Sequence, residues 1–391
     1  MDPRLNPYTP NAGAPPPVLV GRTDLLTSFD ILLARLVRGR TDQSMIVTGL
    51  RGVGKTVLLG ELRGKAEAEG WTAVEAEITR QMDFGPRIAQ LARRALLGVA
   101  PKARWKDRAR RAAGVLKSFT LTVSSEGTLS AALDIDPVEG IADSGDLAND
   151  LTDLFVALGE AARDQGTGVV FLFDEVQFLA RPHLEALIAA LHRTVQRSLP
   201  ITLVGAGLPQ IPRLAGEAKS YAERLFTFPE IGRLTEAEAV AALAAPAREL
   251  GVDFTTKATA EIVAYTQGYP YFLQEYGKIA WDEAEASPIS LKTVRAVLPL
   301  VEAKLDGSFF RVRIERATPH ELRYLRAMAE LEEGPCRASE VAAVLGRASE
   351  QLGPTRSRLI EKGLLYTPGY GLAAFTVPQF GRYLTRTTPV R

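Results

Sequence analysis

The sequence predicts an α/β fold: a doubly wound parallel sheet, followed by an all-helical lid and a C-terminal winged helix-turn-helix. Three observations predict it. Short, near-continuous apolar runs alternate with amphipathic stretches between residues 45 and 205, as in a parallel sheet covered on both faces. A glycine-rich loop joins the first of these runs to a helix. From about residue 231 the apolar runs stop and helical periodicity takes over.

Residues 1–17 hold six prolines, Pro3, Pro7, Pro10, Pro15, Pro16 and Pro17, and read as an extended or disordered tail. Residues 18–230 form the expected core. Strands are predicted at 45–49 (MIVTG), 72–78, 168–174 (GVVFLFD) and 201–205 (ITLVG), and helices at 55–69, 84–97, 147–165 and 181–197. Residues 98–146 interrupt this rhythm with a basic insertion. Its FTLTV and SAALDI segments, around Ser124–Thr128, predict a hairpin. The lid spans 231–306, with breaks at Pro246, Gly251, Gly268 to Pro270, and Pro288. Residues 307–391 carry helical patterns near 320–331, 338–345 and 350–362. A Pro-Gly turn between two short strands follows, predicting a wing at 364–377.

The 391 residues are 46% hydrophobic and 24% charged, which excludes a wholly disordered chain, a collagen-like repeat and a disulfide scaffold. Cys336 is the single cysteine, so no intrachain disulfide forms and a reducing compartment is expected. No apolar run approaches the roughly 18 residues of a membrane span. The N-terminus, MDPRLNPYTPNAGAPPP, has no apolar leader core. A cytoplasmic protein without a membrane partner is the expectation. His183, His192 and His320 make no metal-site spacing with one cysteine.

The strongest chemical signal is Gly49-Leu50-Arg51-Gly52-Val53-Gly54-Lys55-Thr56, which fits G-x-x-x-x-G-K-[ST] between a strand and a helix. Glycines let backbone N–H groups wrap phosphates, and the helix N-terminus adds positive potential. Lys55 is expected on the β- and γ-phosphates of ATP or ADP, and Thr56 on Mg²⁺. Gly49, Arg51, Gly52, Val53, Gly54 and Val57 complete the expected cradle. Downstream, the apolar strand VVFLF ends in Asp174-Glu175. Asp174 is the expected second Mg²⁺ residue, and Glu175 the group that polarises the attacking water.

These motifs resemble the AAA+ ATPases, and more narrowly the STAND signalling ATPases and origin-recognition initiators. Val20-Gly21-Arg22-Thr23-Asp24 is similar to the "hhGRExE" box of those families, with Thr23 in place of the usual Glu. The resemblance puts Gly21 and Arg22 beside the nucleotide. Gly268-Tyr269-Pro270 resembles their lid "GxP" motif, which puts Tyr269 and Pro270 there too. Arg224 falls where AAA+ proteins often carry an arginine finger for a neighbouring subunit; a surface pair with Glu223 is the alternative. The strand ITLVG runs into Ala206-Gly207-Leu208-Pro209 without a polar sensor residue, and the lid shows no sensor arginine. The resemblance therefore implies a slow nucleotide switch rather than a motor.

Local charge points to an output. Residues 307–391 carry thirteen Lys and Arg against eight acids, net +5. In the third helical segment Gln351, Thr355, Arg358 and Lys362 share one predicted face, the arrangement of a helix that reads DNA. Arg356 falls among the apolar positions and reads as structural. Residues 87–117 hold ten Lys and Arg, Arg104 and Arg108 among them, against Asp107 alone, net +9. That run, with Trp105 inside it, reads equally as a phosphate-binding surface or as a solvated helix. DNA binding by a regulator or initiator-like factor is the first expectation. A switch acting on a protein effector, or a nucleotide-binding scaffold without turnover, are the alternatives.

Overall fold

The computed structural model describes residues 1–101, 107–123, 135–331 and 334–387. Five parallel strands, β1 (Ser44–Thr48), β2 (Thr72–Glu77), β3 (Val169–Asp174), β4 (Ile201–Gly207) and β5 (Phe226–Thr227), lie in the order β2-β3-β4-β1-β5. Every residue of β1 and β4 is buried, as a strand covered on both sides requires. Their side chains alternate between two cores. Met45 and Val47 face the helices Thr23–Val37 and Lys55–Ala68. Ile46, Phe171 and Phe173 face Phe84–Val99, Asp107–Val123, Leu147–Asp164 and Arg181–Gln196. The carboxyl ends of β1 and β3 flank β4, at the edge where α/β sheets take their ligands.

The first core continues without a break through the lid into the C-terminal unit, from Leu58 through Phe272 and Val301 to Tyr324, Leu359 and Phe380. A chain of rings marks the path. Tyr271 stacks on Phe309 at 4.7 Å, Phe309 meets Phe310 at 5.3 Å, and Phe310 stacks on Tyr383 at 4.9 Å. A single π-helical turn, Asp306–Phe310, joins the lid helix Leu291–Leu305 to Arg311–Ile314.

Three sequence expectations are corrected. Residues 1–17 are packed rather than a disordered tail: Tyr8 is buried, its hydroxyl donates to Leu243 O at 2.5 Å, and Asn6 donates to Asp282 at 2.7 Å. Residues 119–123, read as a hairpin strand, are the end of the helix Asp107–Val123; residues 124–134 lie outside the described residues. Phe119 is buried, and the hydroxyls of Thr120 and Thr122 bond the carbonyls four residues back, at 2.7 and 3.1 Å. That bonding satisfies the threonine hydroxyls within the helix, and burial of Phe119 against the second core holds the segment helical. Pro246 sits inside the helix Glu236–Glu249 instead of breaking it.

The C-terminal unit holds helices Pro319–Ala329, Ala338–Val344 and Ser349–Glu361, then Phe380–Thr387. Its antiparallel sheet orders β6 (Cys336–Arg337), β8 (Leu372–Phe375) and β7 (Leu365–Tyr366) as β6-β8-β7. Pro354 is accommodated within its helix. The expected reading face is split. Thr355 is buried with Leu352 and Leu359, so the buried stripe passes through it. Lys362 reaches the buried Glu321 at 2.6 Å, and Arg358 approaches it at 3.6 Å. Gln351 and Arg358 remain exposed. Arg356 is structural, donating to Leu372 O at 2.9 Å.

Burial works to raise the Glu321 pKa, but Lys362 and the Thr318 N–H outweigh it and hold the carboxyl below its usual range. A depressed carboxylate adds stability that is complete above the unfolded value, about 4.3, and is lost as pH falls through the lower folded value. Glu321→Gln is therefore expected to cost about 1–3 kcal/mol near neutrality. Thermal melts from pH 7 to pH 3 check this: the gap between variant and wild type should close below about pH 4, and a gap that persists there would refute the ion-pair account.

Candidate functional site

The loop after β1 turns on glycines. Gly52 and Gly54 have φ of +82° and +93°, which favour residues without a Cβ. The helix Lys55–Ala68 begins directly behind them. Lys55 is buried, and its ammonium donates to Gly49 O at 2.9 Å and Leu50 O at 2.8 Å. Burial pushes its pKa down to about 8, partly offset by Glu175 and Asp174. Phosphate oxygens would compete well for such a cation.

Across β4, Asp174 closes β3. Thr56 Oγ1 donates to Asp174 Oδ2 at 2.5 Å, so two hard oxygen donors are adjacent. Burial raises the Asp174 pKa, against the Thr56 and Glu175 hydrogen bonds. Mg²⁺ commonly takes one or two protein oxygens and completes its shell with phosphate and water, and this pair fits that set. Among the described residues no cluster of three or more His, Cys, Asp and Glu could hold a metal. Glu175 sits in the left-handed region at φ +54°, a strain of about 1–3 kcal/mol that active sites often store. Two neighbours restrain its carboxylate: Arg51 Nη2 lies 3.7 Å away, and Gln177 Nε2 donates to Oε2. Gln177 also accepts from Leu208 N at 3.1 Å. It is thus a polar side chain at the end of β4, a position the sequence reading left without one.

A cavity of about 410 Å³ opens beside the loop. Its walls include Arg22, Arg51 to Val57, Asp174 and Glu175 from the core, Pro270 and Tyr271 from the lid, and Pro10 to Ala14 from the N-terminal segment. Gly21 lies behind this wall, where a Cβ would come within 2.6 Å of Glu238. Gly49 also lies behind it, close under Ile231 O. Arg22 is buried, its guanidinium spread over Gly21 O at 2.8 Å and over Val53 O and Gly232 O at 3.3 Å. Burial lowers its pKa, which Glu238 partly offsets. Tyr269, expected on the nucleotide, packs behind Gly52, where a Cβ would sit 3.1 Å from the Tyr269 ring. Tyr271 takes the wall position instead, and its N–H donates to Gly52 O at 3.3 Å.

The C-terminal unit reaches the same loop. Arg51 N donates to Thr376 O at 3.2 Å, and Arg80 donates to Glu361 O at 2.8 Å. Gly363, at φ +68°, makes room for Arg51: a Cβ there would lie 3.0 Å from Arg51 Nη2. Arg224 is exposed at the end of the helix Ala222–Leu225, away from the cavity walls. Arg108, Arg110 and Arg111 line the exposed side of their helix, whose other side is buried. Arg104 and Trp105 lie outside the described residues.

The phosphate loop between β1 and its helix, facing a strand-end acidic pair across β4, defines a P-loop NTPase fold. Residues 18–204 match the AAA ATPase domain family, and residues 307–384 match a domain of unknown function, DUF8462. Over residues 18–204 the P-loop core is thus similar to AAA ATPase domains. The whole chain is similar to the Walker-type ATPase PABY2304 of Pyrococcus abyssi, with a TM-score of 0.54 at 16% identity over 94% of this chain and 96% of that one. Weaker likeness extends to the Thermotoga maritima RuvB Holliday junction branch migration motor, with a TM-score of 0.44 at 17% identity over 93% and 95% of the two chains. The Aeropyrum pernix ORC1 protein in complex with DNA likewise gives 0.44 at 16% identity over 95% and 94%. No curated protein matches the chain. Among the described residues no helix is long and apolar enough to cross a membrane.

Proposed function

We propose that the chain is an ATP-binding switch, slow to hydrolyse, that couples its nucleotide state to the seating of residues 307–391. The observation that carries this reading is the hydrogen bond from the Arg51 backbone N–H in the phosphate loop to Thr376 O, with the Arg51 guanidinium set between Glu175 and Gly363. A nucleotide that repositions the loop acts on the C-terminal unit in one step, without a relay. The cavity would take ATP or ADP, with Lys55 on the β- and γ-phosphates and loop N–H groups around them. Thr56 and Asp174 would hold Mg²⁺, whose charge steadies the phosphate oxygens. Glu175 would orient the attacking water and accept its proton. Gln177 and Arg51 now engage that carboxylate and must release it, which supports slow turnover.

The output of the switch is DNA binding by the C-terminal unit, read as a winged helix, in a cytoplasmic setting. Net charge +5 over residues 307–391 and the exposed Gln351 and Arg358 support it, as does the exposed Arg108, Arg110 and Arg111 row. With Thr355 buried and Lys362 paired to Glu321, Arg358 is the chief candidate for base contact. Arg224, exposed, would serve a neighbouring copy as an arginine finger. Anisotropy with duplex DNA over a salt series, in Mg-ATP and in Mg-ADP, tests the output. Log affinity should fall against log salt with a slope near −0.9 per phosphate neutralised, and ATP and ADP should give different affinities. Arg358→Ala should relax sequence preference. Absence of binding at low salt would move the output to a protein effector.

A further inference from the structure

Arg313 stands out among the charged groups on the cavity wall. The π-helical turn Asp306–Phe310 lies just ahead of it, and such turns insert one residue and redirect the side chains that follow. As a result Ser308, Phe309 and Arg313 reach the same cavity as Lys55, Asp174 and Glu175. Arg313 is half-buried, and its guanidinium lies over the Phe309 ring at 4.0 Å while Nη1 donates to Phe309 O. Among the described residues no carboxylate lies within ion-pair distance of it.

Its charged neighbours make matters worse. Burial and the positive Arg51 push the Arg313 pKa down to about 10, against a smaller opposing effect of Tyr269 and Tyr271. The group is still a full cation at neutral pH. A partly desolvated cation without a counter-charge is costly, and an anion entering the cavity would relieve that cost. The other cations there are already engaged. Lys55 is held by two loop carbonyls, Arg22 by three carbonyls, and Arg51 by Glu175. Arg51 Nε is also buried without a partner, a second unspent donor beside Arg313.

Resting on the ATP-site reading above, we propose that Arg313 senses the terminal phosphate: it binds the γ-phosphate of ATP, a contact that ADP cannot make. Arg313 lies within residues 307–384, the C-terminal family unit, and the lid contributes no comparable cation to the cavity. The unit that gives the output therefore touches the phosphate whose loss marks hydrolysis. Arg313 lines the cavity beside the phosphate loop, and Thr376 of the same unit accepts from the Arg51 N–H. Removing the γ-phosphate leaves Arg313 unneutralised beside Arg51, which disfavours the seated arrangement.

Calorimetry on the full chain with Mg-ATP and Mg-ADP tests this, using wild type, Arg313→Ala, Arg313→Lys and Arg311→Ala. Arg311 is exposed on the same short helix and serves as control. Arg313→Ala should weaken ATP at least about tenfold while changing ADP less than about threefold, because one charge-assisted contact is lost for ATP alone. Arg313→Lys should recover part of the ATP affinity, and Arg311→Ala should leave both unchanged. A purely structural role would weaken both nucleotides equally and lower the melting temperature, and that result overturns the inference. So does an unchanged ATP-to-ADP ratio in Arg313→Ala when Lys55→Ala still abolishes binding. If wild type binds neither nucleotide, the ATP-site reading falls and takes this inference with it.

Discussion

Lys55→Ala is expected to weaken both Mg-ATP and Mg-ADP at least about 100-fold, the loss of roughly 3 kcal/mol from a buried charge-assisted contact. Lys55 is the only lysine of the phosphate loop, and its ammonium already bonds the carbonyls of Gly49 and Leu50. Alanine removes the charge and leaves those two carbonyls without their donor, so the loop loses both its ligand contact and part of its shape. The free-site pKa of about 8 adds a pH signature. An anion binds the protonated form and raises its pKa, so affinity should be full below pH 8 and decline above it. Calorimetry across pH 6.5 to 9.5 reads both effects. Wild-type affinity in Lys55→Ala would remove the phosphate-loop assignment.

Glu175→Gln is expected to keep nucleotide affinity within about threefold and to lower phosphate release by about 10²–10³. Glutamine preserves size and can still hydrogen-bond Gln177 and Arg51, but its amide cannot take a proton from water. Because wild-type Glu175 is tied to Gln177 and Arg51, Gln177→Ala should free the carboxylate and raise turnover. A single-turnover assay of the three proteins separates these effects from binding. Equal release by Glu175→Gln and wild type would remove Glu175 from the chemistry. No release from wild type would favour the scaffold reading.

The phosphate loop and the acidic pair were legible because their spacing is local: a strand, a glycine turn and a helix carry the whole signal within a dozen residues. The residues that complete the cavity arrive from far along the chain. Nothing near Pro10 to Ala14 marks them as a wall, since prolines without apolar periodicity read as a tail; Tyr8 anchors them through contacts with residues more than two hundred positions away. Phe119–Val123 carry β-forming residues, yet burial of Phe119 against the second core kept them helical. Tyr269 and Tyr271 are both aromatic and two residues apart, so only the entry of the helix Pro270–Glu283 decides which faces the cavity. Helical spacing puts Thr355 on one face with Gln351, Arg358 and Lys362, but its register with Leu352 and Leu359 buries it. Arg313 was invisible because a π turn, which shifts side chains by one residue, has no sequence signature comparable to a glycine loop.

The central claim is that nucleotide state sets how the C-terminal unit sits on the phosphate loop. Hydrogen exchange of the full chain in Mg-ADP and in a Mg-bound non-hydrolysable ATP analogue tests it most directly, read at the peptides that hold Arg51 and Gly363 to Thr376. The Arg51 N–H bonds Thr376 O, and the stretch around Gly363 packs on the Arg51 guanidinium. Protection of both peptides should therefore change together between the two nucleotides, while the β1 and β4 amides stay constant. Identical protection in both nucleotides, with binding of each confirmed by calorimetry, would contradict the account.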